Sequence, residues 1–403
     1  MEDSLQQDAQ FQNNKIKGCI LPWIHLHGDI RGDYALCRHT DSYKEPRRSG
    51  HVGDTPLQVW NNNYMRKVRK EFLQGVYPPE CSVCYDKESV GVRSHRQIVN
   101  KDYQRYKVLQ DKTKEDGSII TPPIYIDIRF GNTCNFRCRM CGTDASTSWF
   151  KERHLGFGSQ NVKPFVDEWT NNEEFWRDFE KIIPYIEVMY FAGGEPFVQE
   201  GHYKALEKLI SAGRTNVALQ YNTNLSYKKF KNYDIKKLWS NFEKIQLWPS
   251  LDGMGKRAEY GRKGLNWDVF VDNLQHFKDY VTTVSAVSNI YSISSLPDMI
   301  YFLKDKDINF FITNLTSPSI LSTTVLPKES KQFVLNKFKD LINSNILNES
   351  ELENVKGILS FMVSKNDSNY LEDFKKYNQA LDESREESFT QIFPEYKLWY
   401  ESI

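Results

Sequence analysis

Residues 124–141 read IYIDIRFGNTCNFRCRMC, a short apolar run that passes directly into three cysteines. The run over 124–130 predicts a strand. Cys134, Cys138 and Cys141 follow at spacings of four and three residues, so their thiolates can converge from one loop. Three thiolates can hold an iron–sulfur cube and leave its fourth iron without a protein ligand. An open iron is a place for a substrate to coordinate, just as a catalytic zinc keeps an open position. The same residues could instead be three ligands of a structural zinc with a distant fourth, although zinc sites more often show paired CxxC or Cys/His arms.

Beyond this loop, short apolar runs alternate with amphipathic ones. Strands are expected at 188–191, 217–221, 245–248, 282–287 and 309–313, and helices at 173–183, 201–212, 232–240, 266–280, 296–305 and 328–344. Six repeats of strand then helix imply an α/β fold with a parallel sheet, either open and doubly wound or a partial barrel. Residues 345–403 read as helical, charged and aromatic, a cap or docking element without clustered ligands. Before the loop, Val59, Met65, Val68 and Phe72 recur at helical spacing, which predicts a helix over 57–74 ended by Gly75. Residues 101–121 read as a connecting segment and residues 1–18 as a flexible polar arm. The basic stretch Arg66-Lys67-Val68-Arg69-Lys70 and residues 93–96 are expected to be solvated faces of a helix and a loop.

The second strand of the series ends in Gly193-Gly194-Glu195-Pro196, and two glycines allow positive φ and close approach of the main chain. The third is followed by Asn222-Thr223-Asn224, and the fourth by Ser250 and Arg262, twelve residues apart. All lie at carboxyl ends of strands, where parallel α/β folds place their sites. A CxxxCxxC loop after the first strand and GGEP after the second resemble the radical S-adenosylmethionine (SAM) superfamily. That resemblance implies a partial (β/α)6 barrel over 122–327 and a 4Fe-4S cluster on Cys134, Cys138 and Cys141. Its open iron would chelate the amino and carboxylate groups of SAM. Gly193, Gly194, Glu195 and Pro196 would bind the SAM ammonium group, and Asn224 lies in a TNG-like turn. Ser250 and Arg262 would hold the carboxylate, a task suited to a guanidinium fork. Met140 occupies the family's usual aromatic position, beside which the backbone contacts adenine. Electron transfer would cleave SAM to methionine and a 5′-deoxyadenosyl radical that abstracts hydrogen from the substrate.

The remaining cysteines form a second set. Cys19 and Cys37 bracket CILPWIHLHGDIRGDYALC, and Cys81-Ser-Val-Cys84 follows. Four thiolates complete one tetrahedral set, for zinc or a fully ligated four-iron cluster. The run resembles the SPASM/twitch auxiliary-cluster domains of radical SAM enzymes, which implies an auxiliary 4Fe-4S cluster in a module over 19–121. In most relatives this module follows the barrel, whereas here it precedes it. His25, His27, His39 and His95 lie nearby as substitute ligands or as hydrogen-bonded structural histidines. A helical extension over 328–403 completes the expected organisation.

Composition narrows the function. The 403 residues carry 53 Lys+Arg against 53 Asp+Glu, which argues against a global grip on nucleic acid or anionic membrane. No apolar run approaches the ~20 residues of a membrane span. The polar, acidic N-terminus lacks the features of a signal peptide, so a cytoplasmic location is expected. Seven clustered cysteines without an export signal read as ligands rather than disulfides. The resemblance implies an oxidoreductase acting on a peptide or protein side chain, with a flavodoxin- or ferredoxin-type reductant as partner. Two other functions remain open: RNA modification by an enzyme whose auxiliary cluster also precedes the barrel, and a zinc-bound interaction protein without catalysis.

Overall fold

A computed structural model describes residues 16–40, 50–51, 53–89, 93–157, 165–167 and 169–402. Most of the expected N-terminal arm lies outside the described residues. Eleven strands occur among these residues in chain order: β1 (His25–Gly28), β2 (Asp33–Ala35), β3 (Gly50–His51), β4 (Tyr125–Ile128), β5 (Val188–Phe191), β6 (Ala218–Thr223), β7 (Lys229–Phe230), β8 (Tyr233–Asp234), β9 (Lys244–Pro249), β10 (Val284–Ser288) and β11 (Phe310–Asn314). Seven form one sheet in the order β3-β2-β1-β4-β5-β6-β9, and β10 and β11 form a parallel pair. Two parallel bridges, Leu247 to Val281 and Ser250 to Ser285, carry β9 on to β10. The fold is α/β, and the six expected parallel strands succeed one another in chain order with helices between them.

Alternation along the strands sorts their side chains onto two faces. Ile126, Ile128, Met189, Phe191, Leu219, Tyr221 and Leu247 are buried on the side that the helices cover. Phe130 stacks on Trp176 there, Phe175 and Phe179 meet Trp176 edge-on, and Trp239 packs at a tilt between Tyr221 and Phe277. The opposite face carries polar and aromatic groups. The strand register sets His27 beside Asp127, Asp127 beside Tyr190, Tyr190 beside Gln220, and Gln220 beside Gln246.

Three local features depart from the sequence expectations. The helix expected over 57–74 is two helices, Pro56–Trp60 and Asn63–Leu73, each started by a capping side chain, Thr55 and Asn62. Arg69 fills the break instead of facing solvent. Its fork donates to Pro22 O (2.8 Å), Trp60 O (2.7 Å) and Asn61 Oδ1 (3.0 Å), with the guanidinium over the Trp60 ring. The helix expected over 232–240 is shortened to Ile235–Trp239 because the β7–β8 hairpin takes its start and Asp234 caps it. Strands β1 to β3 were not anticipated. β1 pairs in parallel with β4, so the sheet runs unbroken from the N-terminal cysteine segment into the strands behind Cys134.

Residues beyond 345 form helices Glu349–Ser364, Leu371–Arg385, Phe389–Ile392 and Lys397–Ser402. Asn354 accepts from Ile312 N (2.8 Å) and donates to Ile312 O (2.9 Å), covering part of the β11 edge.

Candidate active site: two cysteine centres on one sheet

The loop carrying Cys134, Cys138 and Cys141 leaves the carboxyl end of β4 and is tied to its neighbours through both backbone and side chains. Arg137 N and Arg139 N donate to Lys263 O (2.8 Å) and Gly261 O (2.9 Å). Trp149 Nε1 donates to Cys138 O (3.1 Å). Phe136 N donates to Cys134 Sγ (3.4 Å), the kind of N–H···S contact that stabilises thiolate ligands. Burial, with Cys138 nearby, pushes the Cys134 thiol up to about 12. Cys138 and Cys141 share a hydrogen bond that lowers Cys138 and raises Cys141.

The turn after β5 packs directly on this loop. Gly194 N and Glu195 N donate to Gly131 O (3.0 Å) and Thr133 O (2.7 Å). A Cβ at Gly194 would lie 2.2 Å from Thr133 O, and Gly193 adopts φ +119°. The glycine pair therefore lets two backbones touch. Glu195 is likewise turned into the protein. It accepts from Thr223 Oγ1 (2.6 Å), Asn224 N (2.7 Å) and Phe197 N (3.0 Å), and burial raises its carboxyl to about 7. Pro196 is buried at the start of a short 3-10 turn, Pro196–Val198.

Glu195 thereby fixes the 222–224 turn, whose Asn224 reaches the cysteine loop. Its Nδ2 donates to Asn135 Oδ1 (2.9 Å) and lies 3.9 Å from Cys134 Sγ. Ser250 directly follows β9, with its N donating to Thr223 O (2.8 Å). Arg262 approaches from the other side. Its positive charge is felt at Cys138 and Cys141, while its Nε donates to Asp252 Oδ2 (2.7 Å). Burial disfavours that charge, but Asp252 more than restores it. Asp252, which the sequence reading missed, also accepts from Val287 N and so ties Arg262 to β10.

The other four cysteines converge. Cys19 lies just before helix Leu21–Ile24, which leads into β1, and Cys37 follows β2. Cys81 closes a 3-10 turn, and Cys84 lies in helix Ser82–Ser89. All four line one cavity together with His39, His95 and Arg96. Burial and mutual repulsion raise Cys19 and Cys81, and burial takes Cys37 up to about 11. His39 N donates to Cys37 Sγ (3.4 Å). Burial depresses His39 to about 4 and His95 to about 3, so both are neutral near pH 7.

The donor sets suit iron–sulfur clusters: soft thiols, backbone N–H···S donors and enclosure. Cys134, Cys138 and Cys141 would hold one cluster and Cys19, Cys37, Cys81 and Cys84 a second. Among the described residues no three cysteine sulfurs lie within 4.8 Å of one another.

Between the centres lies a polar network that the sequence reading did not find. Its signal was the alternation of Tyr125, Asp127 and Arg129 with the isoleucines of β4. Asp127 Oδ2 lies 3.1 Å from His27 Nδ1 and 3.9 Å from His25 Nε2, all three buried. Burial works against the Asp127 charge, but Arg129 and His27 hold the carboxyl well below its usual range. Arg129 Nε donates to Asp127 Oδ1 (2.7 Å) and neutralises it, so this triad needs no cation. Arg129 also lies over the Tyr190 ring, and the Tyr190 hydroxyl donates to Asn222 Oδ1 (2.6 Å). Arg38, next to Cys37, donates to the Tyr190 hydroxyl at 3.4 Å.

No family model and no curated protein sequence matches the chain. Solved structures do. SuiB of Streptococcus suis bound to S-adenosylmethionine is 14% identical, with 72% of this chain and 62% of that chain covered and a TM-score of 0.38. SuiB bound to its precursor peptide SuiA is 13% identical over 72% of this chain and 65% of that chain, TM-score 0.38. Native anSMEcpe with bound AdoMet is 18% identical over 55% of this chain and 62% of that chain, TM-score 0.37. The chain thus spans less than two thirds of the length of each.

Proposed function

We propose that the chain is a radical SAM enzyme of the SPASM/twitch type. The observation that carries this reading is the three-cysteine loop at the carboxyl end of β4, locked to the Gly193–Gly194–Glu195 turn after β5. Cys134, Cys138 and Cys141 would hold a 4Fe-4S cluster, which when bound would supply the electron for reductive cleavage of SAM. The residues of the chain do the rest. Asn224 and Arg262 flank the open side of the loop, and Ser250 and Arg262 hold the SAM carboxylate. The backbone of the 193–196 turn takes its ammonium group, and the Met140 backbone takes adenine.

The substrate would approach the polar face of the sheet, where the partly exposed Arg129 and Asn222 are held in place by the buried Asp127 and Tyr190. A peptide or protein side chain is the substrate class implied by the twitch-like cysteine set. A second 4Fe-4S cluster on Cys19, Cys37, Cys81 and Cys84 would accept the electron leaving the substrate radical. A flavodoxin- or ferredoxin-type protein supplies the reducing electron.

Anaerobic reconstitution, iron and zinc analysis, and reduction with dithionite in the presence of SAM test the proposal. About eight irons per chain, as two four-iron cubes require, and formation of 5′-deoxyadenosine are expected. Alanine at Cys134, Cys138 or Cys141 should abolish the cleavage, and full activity in any one of these variants would refute the assignment. Zinc without iron would leave a metal-bound interaction protein as the better account.

A further inference from the structure

The structure assigns a role to the C-terminal extension: residues 377–387 are a positioning element that clasps the three-cysteine loop between Cys138 and Cys141. The inference rests on the radical SAM reading and adds to it residues far along the chain from the motif. Arg139, the residue after Cys138, is wholly buried. Its guanidinium lies 3.6 Å from the centre of the Tyr260 ring. It donates to Asn378 Oδ1 (2.9 Å), Asp382 Oδ1 (2.5 Å) and Glu387 Oε2 (2.7 Å).

The backbone is held as well. The Tyr377 hydroxyl donates to Arg139 O at 2.6 Å, while Arg139 N bonds Gly261 O on the opposite side. A second lock lies beside the first. Glu152 pairs with Arg137 of the loop (2.8 Å) and with Arg385 of the extension (2.7 Å).

A cover that only shielded apolar surface would not need this arrangement. Desolvating a guanidinium is costly, and Arg139 stays charged because two carboxylates of the extension face it. Those bonds converge on the single residue between Cys138 and Met140. They fix the backbone next to Met140 and the direction in which Cys138 and Cys141 present their sulfurs. Groups that orient ligands in this way commonly change affinity at a metal site without being ligands themselves.

The test compares Tyr377→Phe, the double variant Asp382→Asn/Glu387→Gln, and Glu372→Ala, an exposed control on the same helix. Each is reconstituted and read by iron content, thermal unfolding, the electron paramagnetic resonance change on adding SAM to the reduced cluster, and KM and kcat for SAM cleavage. Tyr377→Phe removes one hydroxyl and should fold and load iron normally. Its KM for SAM should rise about tenfold, with a weakened SAM-induced spectral change, as expected for one lost hydrogen bond. The double variant should load less iron at this centre, and Glu372→Ala should match wild type. If Tyr377→Phe and the double variant both bind iron and SAM as wild type does, the clasp has no positioning role. Wild-type protein that holds no iron or leaves SAM intact would overturn the enzyme reading and the clasp with it.

Discussion

Glu195 holds a proton in the folded chain at a pH where an ordinary glutamate has lost it, because burial raises its carboxyl from 4.5 to about 7. In that window the folded state binds more protons than the unfolded state. The stabilisation from this group is full below about pH 4.5 and is lost as pH rises through about 7. Glu195→Gln keeps an acceptor for Thr223 and Phe197 but turns a donor toward Asn224 N. We expect a loss of about 1–3 kcal/mol, read by urea unfolding. The gap to wild type should narrow as pH rises from the acid side of this window through neutrality, and a gap independent of pH would mean that Glu195 titrates normally. Gly194→Ala should push Thr133 and the adjoining cysteine loop aside and lower the iron bound per chain after reconstitution. Both residues were legible in the sequence as members of one turn, but their contacts were not. Spacing along the chain shows which residues share a turn; it does not show that Glu195 faces the 222–224 turn or that Gly194 abuts Thr133.

At the scale of the element, the break between Pro56–Trp60 and Asn63–Leu73 turns on one side chain. Arg69→Ala would leave the carbonyls of Pro22 and Trp60 without their buried donor. The expected cost is about 3 kcal/mol, seen as a lower midpoint in chemical denaturation, with Lys67→Ala on the exposed side as a near-neutral control. The hydrophobic spacing of Val59, Met65, Val68 and Phe72 placed helical residues correctly. It could not register two successive caps, because Thr55 and Asn62 act through hydrogen bonds that leave no period. The six strands behind the site were legible for the converse reason: each is a short apolar run with an amphipathic helix after it. Strands β1 to β3 were not, being two to four residues long and stabilised by the sheet they join. Asn354→Ala should uncover Ile312 and make the β11 edge prone to self-association, measurable by light scattering.

For the molecule as a whole, the proposal separates two tasks. A Cys81→Ala/Cys84→Ala variant should lose about half its iron, roughly four of the eight that two cubes hold, and still yield 5′-deoxyadenosine with a chemical reductant. Substrate turnover should fail, and circular dichroism would report whether the module has kept its fold. Wild-type turnover in a folded, iron-depleted variant would reduce these four cysteines to a structural metal site. The seven cysteines were legible as two sets from their grouping in sequence, and four of them line one cavity. The clasp on Arg139 was not, since its carboxylates lie at the far end of the chain in a helical stretch without a motif. The pairing of β1 with β4 carries a mechanical consequence. Cys19 precedes the helix that leads into β1 and Cys37 follows β2; β2 is hydrogen-bonded to β1, and β1 in turn to the strand leading to Cys134, and such a ladder has no hinge. With clusters in both sites, the gap an electron must tunnel across would be set once, at folding, so its transfer rate should be indifferent to solvent viscosity, as no tethered domain has to swing into place.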